Sequence, residues 1–259
     1  MSRRSLRLGV WLPPVIAFAV FLALWQLYAV HHPYVAPRLS QIKSELSSHP
    51  GLFARNAWTT LQEALVGGAA GMGAAFALAL VMFYVRVIER AVLPLAVVLN
   101  VTPLVAIAPA LVVAFGFGMT PKFVIASVII FFPFLVNALA GLRDVDPEAL
   151  DLVATLHASR AEVLWRLRLP SSLPYLFAAG RICMPLSLVG AVVAEFVASG
   201  DSKGLGTLIV TAASLGDLGT MYASVVVLAM LGVGMFGAVV ALQRLVLGRY
   251  APAVGMGRR

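Results

Sequence analysis

The chain has 259 residues, 61% of them hydrophobic and 12% charged, with a mean hydropathy of +0.96. Soluble domains carry about 25% charged residues, so a water-soluble globular fold is excluded and a polytopic membrane protein is the expected class. The net charge of +8 then reads as arginines anchoring loops at one membrane surface, with no call for nucleic acid.

In chain order, the first apolar run, 10–30, follows Arg3, Arg4 and Arg7. It resembles a signal peptide, yet it has the roughly 20 residues a span needs. Leu27-Tyr28-Ala29 is a poor cleavage site, so an uncleaved first helix is expected. In the loop 31–56, apolar residues at 39, 42 and 46 predict one short amphipathic helix at the outer surface. The second run, 58–84, carries Gly67, Gly68, Gly71 and Gly73, a small-residue face for close helix packing. Glu63 reads as an exposed first-turn acid of this span. The third run, 91–117, contains Pro94, Pro103 and Pro109, and the fourth, 123–142, contains Pro133. Proline removes a donor and bends a helix, so both are expected to be broken or kinked.

The fifth run is 173–198 and the sixth 220–242. The intervening loop 199–219, rich in Gly, Ser, Asp and Thr, is expected as a turn-rich hairpin. Lipid leaves backbone groups unsatisfied, so such runs must be helices, and none alternates like a barrel strand. An all-α fold of six spans in one domain, 1–259, with both termini on the same side, follows. With the termini in the cytosol, 13 of the 19 Lys and Arg lie inside. Arg38, Lys43, Arg55, Lys122 and Lys203 lie outside and Arg181 lies within the fifth span. That bias sets the orientation.

Between the fourth and fifth spans lies a polar island, 143–172. It holds Asp144, Asp146, Glu148, Asp151 and Glu162, five of the 11 acidic residues. Asp146-Pro147-Glu148 is a helix start: an N-cap acceptor, proline at the first position, then an acid at the positive dipole end. Its apolar face is Leu150, Val153, Ala154 and His157. Ser159 and Glu162 fit a capping box, so a second helix is expected there, presenting Leu164 and Leu167. Pro170 is expected to stop it and Pro174 to open the fifth span. Two short capped helices beneath a membrane form a knob suited to docking a soluble partner.

No catalytic or cofactor machinery is legible. The lone Cys183 lies in an apolar run and rules out an internal disulfide. His31, His32 and His49 fall in a loop and His157 stands alone, so no metal spacing exists. None of the three lysines follows a glycine as a phosphate-binding loop requires. No histidine lies in a span and no G-x-S-x-G elbow is present, which argues against an intramembrane hydrolase.

Ala158-Ser159-Arg160, a helix, and then Leu169-Pro170-x-x-Leu173-Pro174 resemble the EAA loop, E-A-A-x-x-x-G-A-S…L-P-x-x-x-P, of ABC importer permeases. The resemblance covers about 34–247 and is nearest the nitrate/sulfonate/taurine group, which includes pyrimidine and vitamin-precursor permeases. Other matching stretches are Thr102-Pro103-Leu104…Ala108-Pro109, Phe115-Gly116-Phe117-Gly118, Phe131-Phe132-Pro133…Asn137, Gly141-Leu142-Arg143-x-Val145-Asp146-Pro147 and Ala194-Glu195…Gly204-Leu205-Gly206. The implied fold is a type I ABC importer permease with cytosolic coupling helices in 143–172. The implied ATPase-coupling residues are Asp151, Val153, His157, Ala158, Ser159, Arg160, Leu169 and Pro170. His157 stands where the motif has Gly, at a joint expected to be left-handed, and Glu63 stands where relatives often carry a basic residue.

The resemblance further implies a second permease subunit, a homodimer in the simplest case. It also implies an ABC ATPase dimer holding ATP and Mg, an extracytoplasmic solute-binding protein, and a bacterial inner membrane around the spans. This chain itself is expected to bind no cofactor. Intramembrane polar groups default to functional hypotheses, so Asn137 and Glu195 are the translocation-path candidates. Helix packing is the alternative for Asn137, and pairing with Lys203 for Glu195. A non-importing membrane protein, an exporter component or a scaffold, is the alternative function.

Overall fold

In the computed structural model, residues 3–116, 118–197 and 203–254 are described, and every regular element among them is a helix. The ends of the third and fifth expected spans, Phe117 and Ala198, lie outside these residues, as do 199–202 of the expected hairpin and the terminal residues 1–2 and 255–259. The helices are α1 (Arg3–His31), α2 (Leu39–Ser48), α3 (Pro50–Tyr84), α4 (Arg86–Val101), α5 (Leu104–Phe115), α6 (Met119–Arg143), α7 (Pro147–Thr155), α8 (Arg160–Val163), α9 (Leu169–Val197), α10 (Leu205–Ser214) and α11 (Leu218–Val254). Five stretches are long and apolar enough to cross a bilayer: Leu12–His31, Pro50–Tyr84, Met119–Arg143, Arg160–Val197 and Leu218–Gly248.

The third expected span is two helices, α4 and α5, set at 99° to each other. The break falls at Thr102-Pro103. Thr102 is extended (φ −69°, ψ 127°), as a residue before proline prefers. Its hydroxyl donates to Val98 O at 2.7 Å, satisfying a carbonyl at the end of α4. Pro133, in contrast, sits inside an unbroken α6.

The centre of the molecule is the triple contact of α3, α6 and α9. Lipid tails are as apolar as leucine, so helices associate in a bilayer through close packing and polar glue. Glycines supply the first. A Cβ at Gly67 would lie 2.6 Å from Ala126 Cβ, at Gly71 2.7 Å from Ser127 O, and at Gly190 2.7 Å from Ala126 Cα. Gly73 has open space around it. Serines supply the second: Ser127 Oγ donates to Gly67 O at 2.8 Å and Ser187 Oγ to Ala64 O at 2.9 Å. Ile130, Leu135, Leu142, Met82 and the thiol of Cys183 fill the interior below. α1 lies outside this core, tied by Trp25 Nε1 to Pro37 O (3.2 Å) and by Leu39 N to Gln26 Oε1 (3.0 Å).

The structure revises four expectations. The loop 199–219 is not a hairpin of turns, because 205–214 forms the apolar helix α10, with Leu205, Gly206, Thr207 and Ala212 buried. Pro170 does not stop the second loop helix. Residues 164–168 form a π turn in which Leu169 N–H reaches back to Leu164 O, and the chain runs directly into α9 with Pro170 as its second residue. Pro174 likewise lies inside α9 and does not open it. The second span begins at Pro50, well before residue 58, with Pro at the first helical position.

Candidate functional site

At the charged end of the bundle, α7 opens as the residues dictate: Asp146 Oδ1 accepts from Glu148 N at 3.0 Å, with Pro147 at the first position. It closes with a Schellman pair, His157 N–H to Ala154 O (3.0 Å) and Ala158 N–H to Val153 O (3.3 Å). That closure needs a left-handed residue. His157 takes it at φ 55°, the only non-glycine with positive φ among the described residues. Ser159 then caps α8 reciprocally with Glu162: Ser159 N–H donates to Glu162 Oε2 at 2.9 Å, and Glu162 N–H to Ser159 Oγ at 3.3 Å.

The loop is held to its spans. Arg168 donates to Leu142 O at 3.0 Å, Tyr175 Oη donates to Asp144 Oδ2, and Gly141 lies against Tyr175 and Ser172. Arg143 grips Glu89 of α4 with two bonds, one of 2.8 Å. Asp151, Ser159 and Arg160 are exposed, while Val153, Ala158, Leu169 and Pro170 are half-buried. Leu152, Leu156 and Trp165 are 63%, 72% and 67% exposed. Large apolar side chains displayed on a charged loop form a surface without a partner in the single chain.

At the other end lies a buried polar cluster. Glu63, Lys122 and Glu195 each have no exposed surface. Lys122 Nζ donates to Glu63 Oε1 at 2.8 Å. Glu195 accepts from Thr60 Oγ1 at 2.7 Å and from Gly206 N–H. Leu205 N–H donates to Thr60 Oγ1, and Gly204 N–H to Asn56 Oδ1, both at 2.8 Å. The orphan donors at the start of α10 are therefore capped by side chains of α3 and α9. Only glycine fits: a Cβ at Gly204 would lie 2.2 Å from Glu195 Oε1, and one at Gly206 2.6 Å from Oε2.

Glu63 is thus not an exposed first-turn acid but one half of a buried ion pair. Asn56, Thr60, Glu63 and Lys122 went unrecognised as a set, although 56, 60 and 63 share one helix face by spacing, a signal present in the sequence. Asn137 is half-buried and its Nδ2 donates to Pro133 O at 2.8 Å, within its own helix. Asn137 and Glu195 are not brought together. Among the described residues no group of three or more His, Cys, Asp or Glu is placed to hold a metal ion.

Residues 67–250 match the family model described as binding-protein-dependent transport system inner membrane component. A probable ABC transporter permease protein of Haemophilus influenzae is 33% identical over 84% of this chain and 89% of its own length. The formylaminopyrimidine transport permease protein ThiX of Halalkalibacterium halodurans is 30% identical over 91% of this chain and 95% of its own. Among solved structures, a chain of the inward-facing MetNI methionine ABC transporter superposes with a TM-score of 0.67 at 18% identity, covering 77% of this chain and 98% of that one. With a helical, multi-span architecture and relatives aligned over nearly their whole length, the chain belongs to the binding-protein-dependent transport system inner membrane component family, the permease subunits of ABC importers.

Proposed function

We propose that two copies of this chain pair in a bacterial inner membrane, each with six spans, counting α4–α5 as one broken span, and both termini in the cytosol. A small solute crosses between them, delivered from outside by a solute-binding protein. The solute class is a nitrate-, sulfonate- or taurine-like anion, or a pyrimidine or vitamin precursor; a name such as formylaminopyrimidine permease on a relative favours the latter. ATP and Mg are held by a separate ABC ATPase dimer.

The observation that carries this reading is the loop knob, with two capped helices, a left-handed joint and exposed Leu152, Leu156 and Trp165. In the proposal this knob enters a cleft of the ATPase. Ala158 and Ser159 form the contact ridge, Asp151, Val153 and Arg160 flank it, and His157 sets the angle between the helices. Leu169 and Pro170 pass the motion into α9 without an intervening loop. ATPase closure then shifts the equilibrium between inward- and outward-open states. Asn137 and Glu195 are the proposed path residues, Glu195 through its hold on α10 at the outer end.

The test is co-purification from cells expressing the whole operon. The native chain should retain a stoichiometric ATPase, and Ala158→Glu with Ser159→Arg should lose it while still inserting and melting normally. An undiminished complex in that double variant would sink docking through the loop.

A further inference from the structure

A second charged feature lies at the root of the loop and shares Arg143 and Arg168 with it. The start of α4, the end of α6 and the π turn enclose an open cleft of about 670 Å³. Four of its lining residues are Arg86, Arg90, Arg143 and Arg168, and the one acid is Glu89. Glu89 is already committed to Arg143 through both carboxylate oxygens. Arg168 is committed to Leu142 O and lies over the Phe83 ring, 4.8 Å from its centroid. Arg86 and Arg90 are exposed and form no hydrogen bond or ion pair among the described residues.

These two arginines sit in the first turns of α4, whose N-cap residue Val85 offers no side-chain acceptor. Cations at the positive end of a helix dipole repel it, and uncapped N–H groups add to the same potential. Four guanidiniums and a helix start against one carboxylate call for a bound anion of high charge density. Guanidiniums match phosphate oxygens in a planar, two-bond geometry.

The surroundings indicate the source of that anion. From the cleft, α4 runs onward with Val87, Leu95 and Val98 at 75%, 64% and 63% exposure, an apolar track leading away from the charges. Tyr84, half-exposed at the end of α3 and edge-on to Phe83 at 5.3 Å, is an aromatic of the kind that marks a membrane–water boundary. A charged cleft opening onto an apolar strip at an interface fits a molecule with a phosphate head and acyl tails. Basic pockets at cytosolic helix ends recruit anionic headgroups.

We propose that this cleft binds the phosphodiester headgroup of an anionic phospholipid, with its acyl chains along α4. The bound headgroup would neutralise Arg86 and Arg90 and brace the broken span against α6 close to the root of the loop. The site rests on the proposed function for the assignment of this end to a membrane surface, and it shares Arg143 and Arg168 with the loop but none of the proposed coupling residues. Its test requires neither an ATPase nor a solute.

The full-length chain, purified in detergent, is titrated with dioleoylphosphatidylglycerol or dioleoylphosphatidylcholine and adducts are counted by native mass spectrometry. The anionic lipid should be retained and the zwitterionic one not. Arg86→Gln with Arg90→Gln should weaken retention roughly 30-fold, at about a factor of five per charge. Arg86→Lys with Arg90→Lys should keep most of it, and Arg244→Gln, an exposed arginine on α11, should change nothing. Equal retention by the Gln pair, equal loss in Arg244→Gln, or equal binding of both lipids would overturn the site. Displacement of the lipid by inorganic phosphate at comparable concentration would overturn the lipid assignment in favour of a free anion.

Discussion

At the scale of single residues, His157 occupies a backbone conformation that L side chains enter at a cost of about 1–2 kcal/mol. His157→Gly should therefore stabilise the α7–α8 joint, less the entropy that glycine adds to the unfolded chain, and a β-branched His157→Val should destabilise it. Thermal unfolding in detergent would rank the three, and a Gly variant melting below the native chain would contradict the strain assignment. The Lys122–Glu63 pair makes an opposite demand. With both side chains fully buried, Lys122→Met strands a carboxylate and should cost about 3–5 kcal/mol. Adding Glu63→Gln should restore part of that loss, since Glu195 then remains as the one buried acid of the cluster. A double variant no better than the single would mean that Lys122 acts through something other than Glu63.

At the scale of elements, α11 begins where Asp217 Oδ1 accepts from Thr220 N–H at 3.0 Å. Hydrogen bonding from the Thr220 side chain, then from its backbone, holds the Asp217 carboxyl below the usual aspartate value, with His49 across the loop acting in the same direction. A depressed folded value means that this contribution is complete above the unfolded pKa of about 3.9 and is lost as pH falls through the lower folded value. Melting temperature should thus drop in acid more steeply in the native chain than in Asp217→Asn, which keeps the cap but cannot titrate. Asp217→Ala should lose about 1 kcal/mol at neutral pH. Parallel acid profiles for the native chain and Asp217→Asn would remove Asp217 from the account.

The loop elements were legible in detail because capping is local chemistry. Asp146-Pro147-Glu148 and Ser159…Glu162 decide helix starts within four residues, and the structure places both caps where the spacing put them. The C-terminal side of the loop was misread because a π turn carries Pro170 into a continuing helix. Nothing within a few residues distinguishes that outcome from a stop. α10 was missed for a related reason, since the groups that cap it come from Asn56, Thr60 and Glu195, far along the chain.

At the scale of the whole molecule, the three central helices meet through missing side chains as much as through present ones. Gly71→Ala places a Cβ 2.7 Å from Ser127 O and should cost about 1–3 kcal/mol by overpacking. Gly73→Ala, with nothing within 4 Å, should be neutral or slightly stabilising. Unfolding of the two variants in the same detergent checks this directly, and equal effects would mean that helix propensity and not close approach decides.

Class, approximate spans, charge asymmetry and the capped loop were determined by sequence alone, because hydropathy and capping depend on residues a few positions apart. The family resemblance rested on the same local motifs. Only the tertiary structure decided that Glu63 pairs with Lys122, that Glu195 anchors α10, and that four arginines from three elements surround one cleft. Each of those pairings joins residues 11 to 135 positions apart or more than one helix. Their electrostatic meaning comes from burial, which is a property of the packed bundle and not of any segment within it.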